Sequence, residues 1–325
     1  MVINILLLIV GMALLVKGAD WFVSGASAIA KALKIPSLII GLTLVSMGTS
    51  APEASVSVNS AVNGMNDMSI GDVVGSNIFN TLLILGVSSL ITPLSIGKGV
   101  KRYDVPIMVL LYGVLLLFAF VITPLKLDIF ESVAMLVLFV AYTAFLIVRT
   151  KKENKKFAPT GESITKQTTE VKEEKKKPIW LSIILAVIGL AGVIFGGDLV
   201  VDHAAAIAKT AGMSEALVGL TIVSVGTSLP ELVTSVVASI KRENDIAIGN
   251  VIGSNIFNII FILGLSSTIS NLTISWSVLT DLLVMLASGV IVLFIALFSK
   301  KMYRWQGAIT VLLYVGYIAY IIIRN

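Results

Sequence analysis

Two carboxylates lie where a carboxylate is costly. Glu53 and Glu231 fall mid-way along apolar stretches long enough to cross a bilayer. A charged acid at a membrane centre costs at least about 2.5–3.5 kcal/mol on insertion scales, so its default reading is functional. A lone buried Glu also serves as a protonated link between helices. Two of them, flanked alike by GTSAPE (48–53) and GTSLPE (226–231), argue against that bland role. In helical spacing Ser46, Thr49 and Glu53 share one face, as do Ser224, Thr227 and Glu231. Pro52 and Pro230 have no N–H, so the carbonyls of Gly48 and Gly226 lose their i→i−4 donor. A second motif, GDVVGSNIFN (71–80) and GNVIGSNIFN (249–258), sets Ser76 with Asn80 and Ser254 with Asn258 at i, i+4. Asn77 and Asn255 point elsewhere and suit hydrogen bonds between helices. The GxxxG pairs Gly71/Gly75 and Gly249/Gly253 suit close packing rather than contact with a substrate.

The pooled groups are all oxygen: two carboxylates, hydroxyls, amide oxygens and freed carbonyls. There is no Cys, and His203 is the only His. That set disfavours Zn2+ and Cu2+ and favours hard cations such as Ca2+ or Na+. Two carboxylates neutralise one Ca2+. His203 reads as interfacial. Asp20 and Asp198 suit helix ends. Asp72 is matched by Asn250, so symmetry requires no charge there. Asp281 has no acidic counterpart and no assigned role.

Broken backbone with bare carbonyls is tolerated at membrane depth only where it lines a cavity or is buried in protein. The rest of the chain must provide that burial. Of the 325 residues, 57% are hydrophobic and 13% charged, the latter about half the usual share. This excludes a disordered chain, a nucleic-acid-binding domain and an ordinary soluble enzyme, and leaves an all-α polytopic membrane protein. Ten spans are expected, near 2–23, 37–62, 70–93, 103–123, 127–149, 180–203, 214–240, 246–270, 276–299 and 304–323. The first is kept as a span rather than a cleaved signal, because it lacks a basic leader and recurs mid-chain. Residues 150–178 carry nine Lys and five Glu and read as a solvated linker.

The chain repeats itself at an offset of 178 residues. GLTLVSMGTSAPE (41–53) matches GLTIVSVGTSLPE (219–231) at 10 of 13 positions, and the second motif matches at 8 of 10. The units are a first five-helix repeat (1–149), the linker (150–178) and a second five-helix repeat (179–325). Five crossings are odd, so the second unit enters from the opposite side. The expectation is a pair of inverted repeats with a site near the midplane where they meet.

These motifs resemble the α-repeats of the sodium/calcium exchangers, within the calcium/cation antiporter superfamily, and most closely its short prokaryotic members. The likeness covers nearly the whole chain. It implies Na+-coupled Ca2+ antiport by alternating access, with Ca2+ and Na+ as transported ions and no cofactor. By motif it implies Glu53 and Glu231 at a central Ca2+ position, with Thr49 and Thr227 beside them. It places Ser50, Ser76, Ser228 and Ser254 around Na+ positions, takes backbone carbonyls from Ser46 and Ser224, and ends the second motif on Asn80 and Asn258. Some members carry Asp where this chain has Asn258, so the expected site has two carboxylates and no third acid. No obligate protein partner beyond the lipid bilayer is implied, nor any nucleic acid.

The nearest rival is the same fold exchanging Ca2+ for H+. A passive cation channel fits less well, because channels are usually built from several subunits around a pore. An intramembrane enzyme would need a Lys or His to activate Ser76 or Ser254, and none is placed to do so.

Orientation follows from charge. With the linker in the cytoplasm, 20 of the 24 Lys and Arg fall inside, three fall outside (Lys126, Lys209 and Arg324), and Lys17 lies within the first span. Basic residues favour the cytoplasmic side, so both termini should face outward across the cell membrane. A protease site placed within 150–178 is expected to be cut only from the cytoplasmic side, and cleavage in intact cells would overturn this orientation.

Overall fold

The fold is a computed structural model that describes residues 1–122, 125–156, 178–212 and 224–324. It is helical almost throughout. In order the helices are α1 (Val2–Leu33), α2 (Ser37–Thr49), α3 (Ala51–Val62), α4 (Asn66–Ile91), α5 (Val100–Phe120) and α6 (Ile129–Lys156). They are followed by α7 (Ile179–Thr210), α8 (Leu229–Ile240), α9 (Asn244–Ile269), α10 (Trp276–Phe298) and α11 (Arg304–Arg324). Eight of these are long and apolar enough to cross a membrane, while α2 and α8 are shorter apolar helices. Large side chains point outward along them, among them Leu110, Phe130, Phe195, Phe294, Phe298 and Leu312. Water would not tolerate such a surface, and lipid does.

The expected span 37–62 is interrupted at Ser50, whose backbone leaves the helix (φ −81°, ψ 12°). Pro52 sits in the first turn of α3, where its missing N–H costs nothing. Ser228 repeats this break ahead of α8, and Pro230 sits in the first turn of that helix. The remainder of the expected span 214–240 begins in 213–223, outside the described residues. The fifth span runs on past its expected end, since α6 continues to Lys156. Lys and Glu are good helix formers, so the charged segment prolongs the helix before leaving it. The rest of the linker, 157–177, lies outside the described residues.

α1 and α7 pack closely and run antiparallel. Gly11, Gly18 and Gly25 recur every seven residues on α1 and meet Gly196, Gly189 and Ser182, with the same spacing, on α7. A methyl group on Gly18 would sit 2.6 Å from the Val193 amide nitrogen, and one on Gly25 would sit 2.6 Å from that of Ala186. In lipid, such small residues let backbones approach and gain dispersion contacts that larger side chains forbid. α4 and α9 are the two most enclosed spans and form the centre. α9 lies against α2 through Gly249 and Gly253, where added methyls would meet the Leu38 carbonyl at 2.7 Å and the Leu42 Cα at 2.8 Å.

Three helices at the centre widen into π-helical stretches: Gly41–Val45 in α2, Phe79–Ile84 in α4 and Asn258–Leu263 in α9. Such stretches frequently accompany functional sites, because they displace carbonyls from the regular ladder. Two short antiparallel ladders link loops of opposite halves. β1 (Leu94–Ser95) pairs with β4 (Lys301–Met302), and β2 (Lys126–Leu127) with β3 (Leu272–Thr273). At the periphery, buried Arg149 binds buried Asp104 at 2.6 Å, tying α6 to α5.

Overpacking a filled contact costs typically about 1–3 kcal/mol and more where backbone must move. Gly18→Val is therefore expected to lower the melting temperature of the purified protein sharply, whereas Gly113→Ala, with nothing within 4 Å of the added methyl among the described residues, is expected to be tolerated. Fluorescence-detected size-exclusion after heating checks both.

Candidate ion-binding site

The two helix breaks bring the two glutamates to the centre of the molecule. Glu53 lies in the first turn of α3 and Glu231 in the first turn of α8. A helix N-terminus offers partial positive charge, which favours a carboxylate there. Both side chains are fully buried, at 0% exposure.

Each carboxylate is held by the opposite half. Ser50 Oγ donates to Glu231 Oε1 at 2.8 Å, and Ser228 Oγ donates to Glu53 Oε1 at 2.9 Å. The Ser228 hydroxyl also lies 3.0 Å from that of Ser76. The Thr49 and Ser254 hydroxyls stand beside Glu231. Hydrogen bonds to charged groups contribute about 1.5–3 kcal/mol each. The second oxygen of each carboxylate, Glu53 Oε2 and Glu231 Oε2, is buried and takes no hydrogen bond. A buried carboxylate left half satisfied is expensive. A cation held between such oxygens removes that cost, and the hard, all-oxygen surroundings suit Ca2+ or Na+.

Of the other expected residues, Ser50, Ser228, Thr49 and Ser254 are the ones whose hydroxyls reach this pair. Ser46, Thr49, Ser50, Ser76, Asn80, Ser228, Ser254 and Asn258 are all buried. The Ser46 carbonyl receives the Ser50 amide at 3.0 Å and faces the Ser254 hydroxyl at 3.5 Å. Both polar atoms of the Asn80 side chain are buried without a hydrogen-bond partner, and so is Asn258 Oδ1. Asn258 Nδ2 donates to Asn77 Oδ1 at 3.0 Å, and Asn77 Nδ2 donates to the Asn255 carbonyl at 3.3 Å. Asn77 and Asn255 thus join α4 to α9. Thr227 is partly buried beside Asp72, while the side chain of Ser224 lies outside the described residues.

Three features escaped the sequence. The serines cross over: Ser50 and Ser228 serve the glutamate of the other half, which spacing along one helix cannot reveal. Asn250 bonds Thr49, Ser235 and the Glu231 carbonyl, so it braces the site. A third acid does stand nearby, because Asp72 Oδ1 accepts from Thr227 Oγ1 at 3.4 Å. The Asp/Asn mismatch between repeats was the visible signal. Elsewhere, Asp281 receives a bidentate pair from Arg324 at 2.9 and 3.1 Å, which clamps α11 to α10. Asp20 pairs with Lys241 at 2.6 Å, and His203 Nδ1 meets Asn4 Oδ1 at 3.2 Å between α7 and α1.

A family model described as sodium/calcium exchanger protein matches residues 3–148 and 181–323. The chain belongs to the sodium/calcium exchanger family. Two relatives align with it along nearly their whole length. A putative antiporter, CaxA, of Alkalimonas amylolytica is 36% identical over 98% of both chains. The sodium/calcium exchanger MaX1 of Methanosarcina acetivorans is 33% identical over 97% of both. The solved sodium–calcium exchanger NCX_Mj, soaked in 2.5 mM Na+ and 0.1 mM Ca2+, superposes with a TM-score of 0.84 at 29% identity, covering 98% of each chain. This exchanger-family chain is accordingly a multi-pass membrane protein of a cation/Ca2+ antiporter family, which is a transporter family and not an enzyme family.

The crossed serines give a thermodynamic test. Residues in contact couple by about 0.5–3 kcal/mol in double-mutant cycles, whereas independent ones add. In the absence of Ca2+, Ser50→Ala is expected to couple to Glu231→Gln, and Ser228→Ala to Glu53→Gln, in the unfolding free energy of the purified protein. Additive effects in both pairs would show that the serines do not hold the opposite glutamates.

Proposed function

We propose that this protein exchanges Na+ for Ca2+ across the cell membrane by alternating access, with Glu53 and Glu231 at its ion centre. The observation that carries this reading is the pair of fully buried glutamates, each bonded through one oxygen to a serine of the opposite half and left open at the other. Two ionised carboxylates offer two negative charges, which match one Ca2+ or two Na+. A site that can be neutralised in either way is a site at which the two ions compete.

Thr49, Ser50, Ser76, Thr227, Ser228 and Ser254 supply hydroxyl oxygens around the centre. Asn80 and Asn258 supply amide oxygens, and Ser46 and Ser224 supply carbonyls. Because each glutamate answers to a serine of the other half, a shift of one half against the other alters both carboxylates at once. That is the property alternating access needs, since the ion must meet one side of the membrane in each state. The empty site would carry unpaired charge through a dry barrier, so it resists crossing unloaded. Antiport follows from that resistance.

The architecture supporting this is two inverted five-helix halves, 1–149 and 179–325, joined by the cytoplasmic segment 150–178, with both termini outside. Three observations support it. The 178-residue repeat places the motifs in equivalent elements. α1 and α7, the first helices of the two halves, run antiparallel. The hydrogen bonds of Ser50 and Ser228 are exchanged reciprocally.

Vesicles loaded with Ca2+ test the coupling. Efflux is expected to require Na+ or Ca2+ on the opposite side, and to fail with choline at the same ionic strength or with a pH gradient alone. Efflux driven equally by the pH gradient would make the protein a Ca2+/H+ antiporter, and sustained efflux into choline at clamped voltage would make it a channel. Glu53→Gln and Glu231→Gln each remove half the charge that faces the divalent ion. Each is expected to abolish transport in a protein that still inserts and elutes as a single species.

A further inference from the structure

An amide has two unlike ends. Turned one way, Asn258 presents Oδ1 to a cation; turned the other way, it presents an NH2 group that repels one. It stands one turn after Ser254 on α9, on the face whose Ser254 hydroxyl lies beside Glu231. Its Nδ2 donates to Asn77 Oδ1 at 3.0 Å, and its Oδ1 is buried with no hydrogen-bond partner among the described residues.

The direction of this amide is decided beyond Asn258 itself. Asn77 Nδ2 faces the Asn255 main-chain carbonyl at 3.3 Å and the Met285 sulfur at 3.7 Å. Both are acceptors, and a main-chain carbonyl has no hydrogen to give. Asn77 therefore keeps its NH2 on that side and its oxygen toward Asn258. Asn258 answers with its own NH2, which leaves its oxygen as the open end. Reversing either amide would set like against like among fully buried side chains, where an unmet polar group is expensive. The other half does not complete the same chain. There Asn255 is the equivalent of Asn77, and Asn80 of Asn258. Asn255 Nδ2 donates to Thr81 Oγ1 at 2.9 Å and to the Met108 sulfur at 3.5 Å. Asn255 Oδ1 and both polar atoms of Asn80 have no hydrogen-bond partner among the described residues. Thr81 accounts for the difference, because its counterpart, Ile259, has no hydroxyl to offer Asn77. A hydroxyl both donates and accepts, so unlike a carbonyl it imposes no direction on the amide it meets.

We propose that Asn77 is a positioning residue, which turns the Asn258 amide so that oxygen and not nitrogen is offered to the bound cation, and that Asn80 is left without such a residue. The proposal rests on the reading of Asn258 as an oxygen donor to the ions held at Glu53 and Glu231. Both polar atoms of Asn77 are engaged by protein, so it acts through Asn258. Partners that orient a ligand change metal affinity by about 10–100-fold when they are removed. An oxygen fixed beforehand loses no rotational freedom when the ion arrives, whereas Asn80 is ordered only by the ion itself. Two residues that end identical motifs are thereby unequal: Asn258 is a prepared ligand and Asn80 an adaptable one.

Equilibrium binding of radioactive Ca2+ and Na+ to the purified full-length protein tests this through a double-mutant cycle. Asn77→Leu keeps the bulk of the side chain and removes both polar atoms. It is expected to weaken binding of at least one of the two ions by about 10–100-fold. Asn258→Asp has an oxygen at either tip, so it needs no neighbour to choose between them. In the Asn258→Asp background, Asn77→Leu is expected to leave both affinities as they were. A residue that only fastens α4 to α9 would not be bypassed in this way. Should Asn77→Leu not fold, as read by its melting temperature and elution peak, Asn77→Ala carries the same cycle. The matching cycle of Asn255→Leu with Asn80→Asp is the internal control and is expected to be additive. Unchanged affinities in Asn77→Leu, an equal loss with and without Asn258→Asp, or equal coupling in the control cycle would each overturn the proposal. Glu53→Gln run in parallel separates it from the reading beneath it. If that variant keeps its Ca2+, the glutamate centre fails, and the Asn77 cycle still decides whether Asn258 is turned toward whichever ion binds.

Discussion

Two carboxylates in a dry interior are the constraint on which the rest of this structure depends. The effective penalty for burying an ion is several kcal/mol even after relaxation. The hydroxyl that each glutamate receives returns about 1.5–3 kcal/mol. Hydrogen bonds alone therefore do not balance the burial, and the second oxygens, Glu53 Oε2 and Glu231 Oε2, remain open. Under the proposed exchange, a positive ion closes the balance. The molecule can be understood as a scaffold that keeps this deficit in place, since a more complete set of protein donors would satisfy the glutamates permanently and leave no reason to take up a cation.

The scaffold achieves this by bringing backbones close and then breaking them. Gly249 and Gly253 let α9 approach α2, which sets Asn250 within reach of Thr49. The helices on either side of Ser50 and Ser228 end and restart, so that each glutamate sits in a first turn. Around this centre, Asn77 and Asn255 fasten α4 to α9, and the glycine seam fastens α1 to α7. The ion pairs lie farther out. Arg149 with Asp104 and Arg324 with Asp281 tie helices to neighbours of their own half, whereas Lys241 with Asp20 joins α1 to the end of α8 across the halves. Charge is thus paired among the outer helices and left unpaired at the middle.

The membrane class, the duplicated motifs and the identity of the buried glutamates were legible in the chain. Hydrophobic runs are local, and lipid rewards them wherever they occur. A carboxylate inside such a run is conspicuous because nothing local can neutralise it. The break at Pro52 was legible for the same reason, since a missing N–H is a property of one residue. Pairing was not legible. No pattern along a helix states that Ser50 serves Glu231, 181 positions away, or that Asp281 meets Arg324 near the end of the chain. Asp72 looked dispensable because its repeat partner is neutral. In the fold it faces Thr227 and keeps one oxygen open.

The sequence by itself determined which residues must be buried together in lipid: apolar spans, paired acids, hydroxyls and the breaks beside them. Those follow from the free energy of each residue in a bilayer, which needs no knowledge of neighbours. Only the tertiary structure decided which oxygens are shared and which remain open. That outcome depends on distances between elements far apart in the chain, and those distances are set by how closely glycine-lined helices pack.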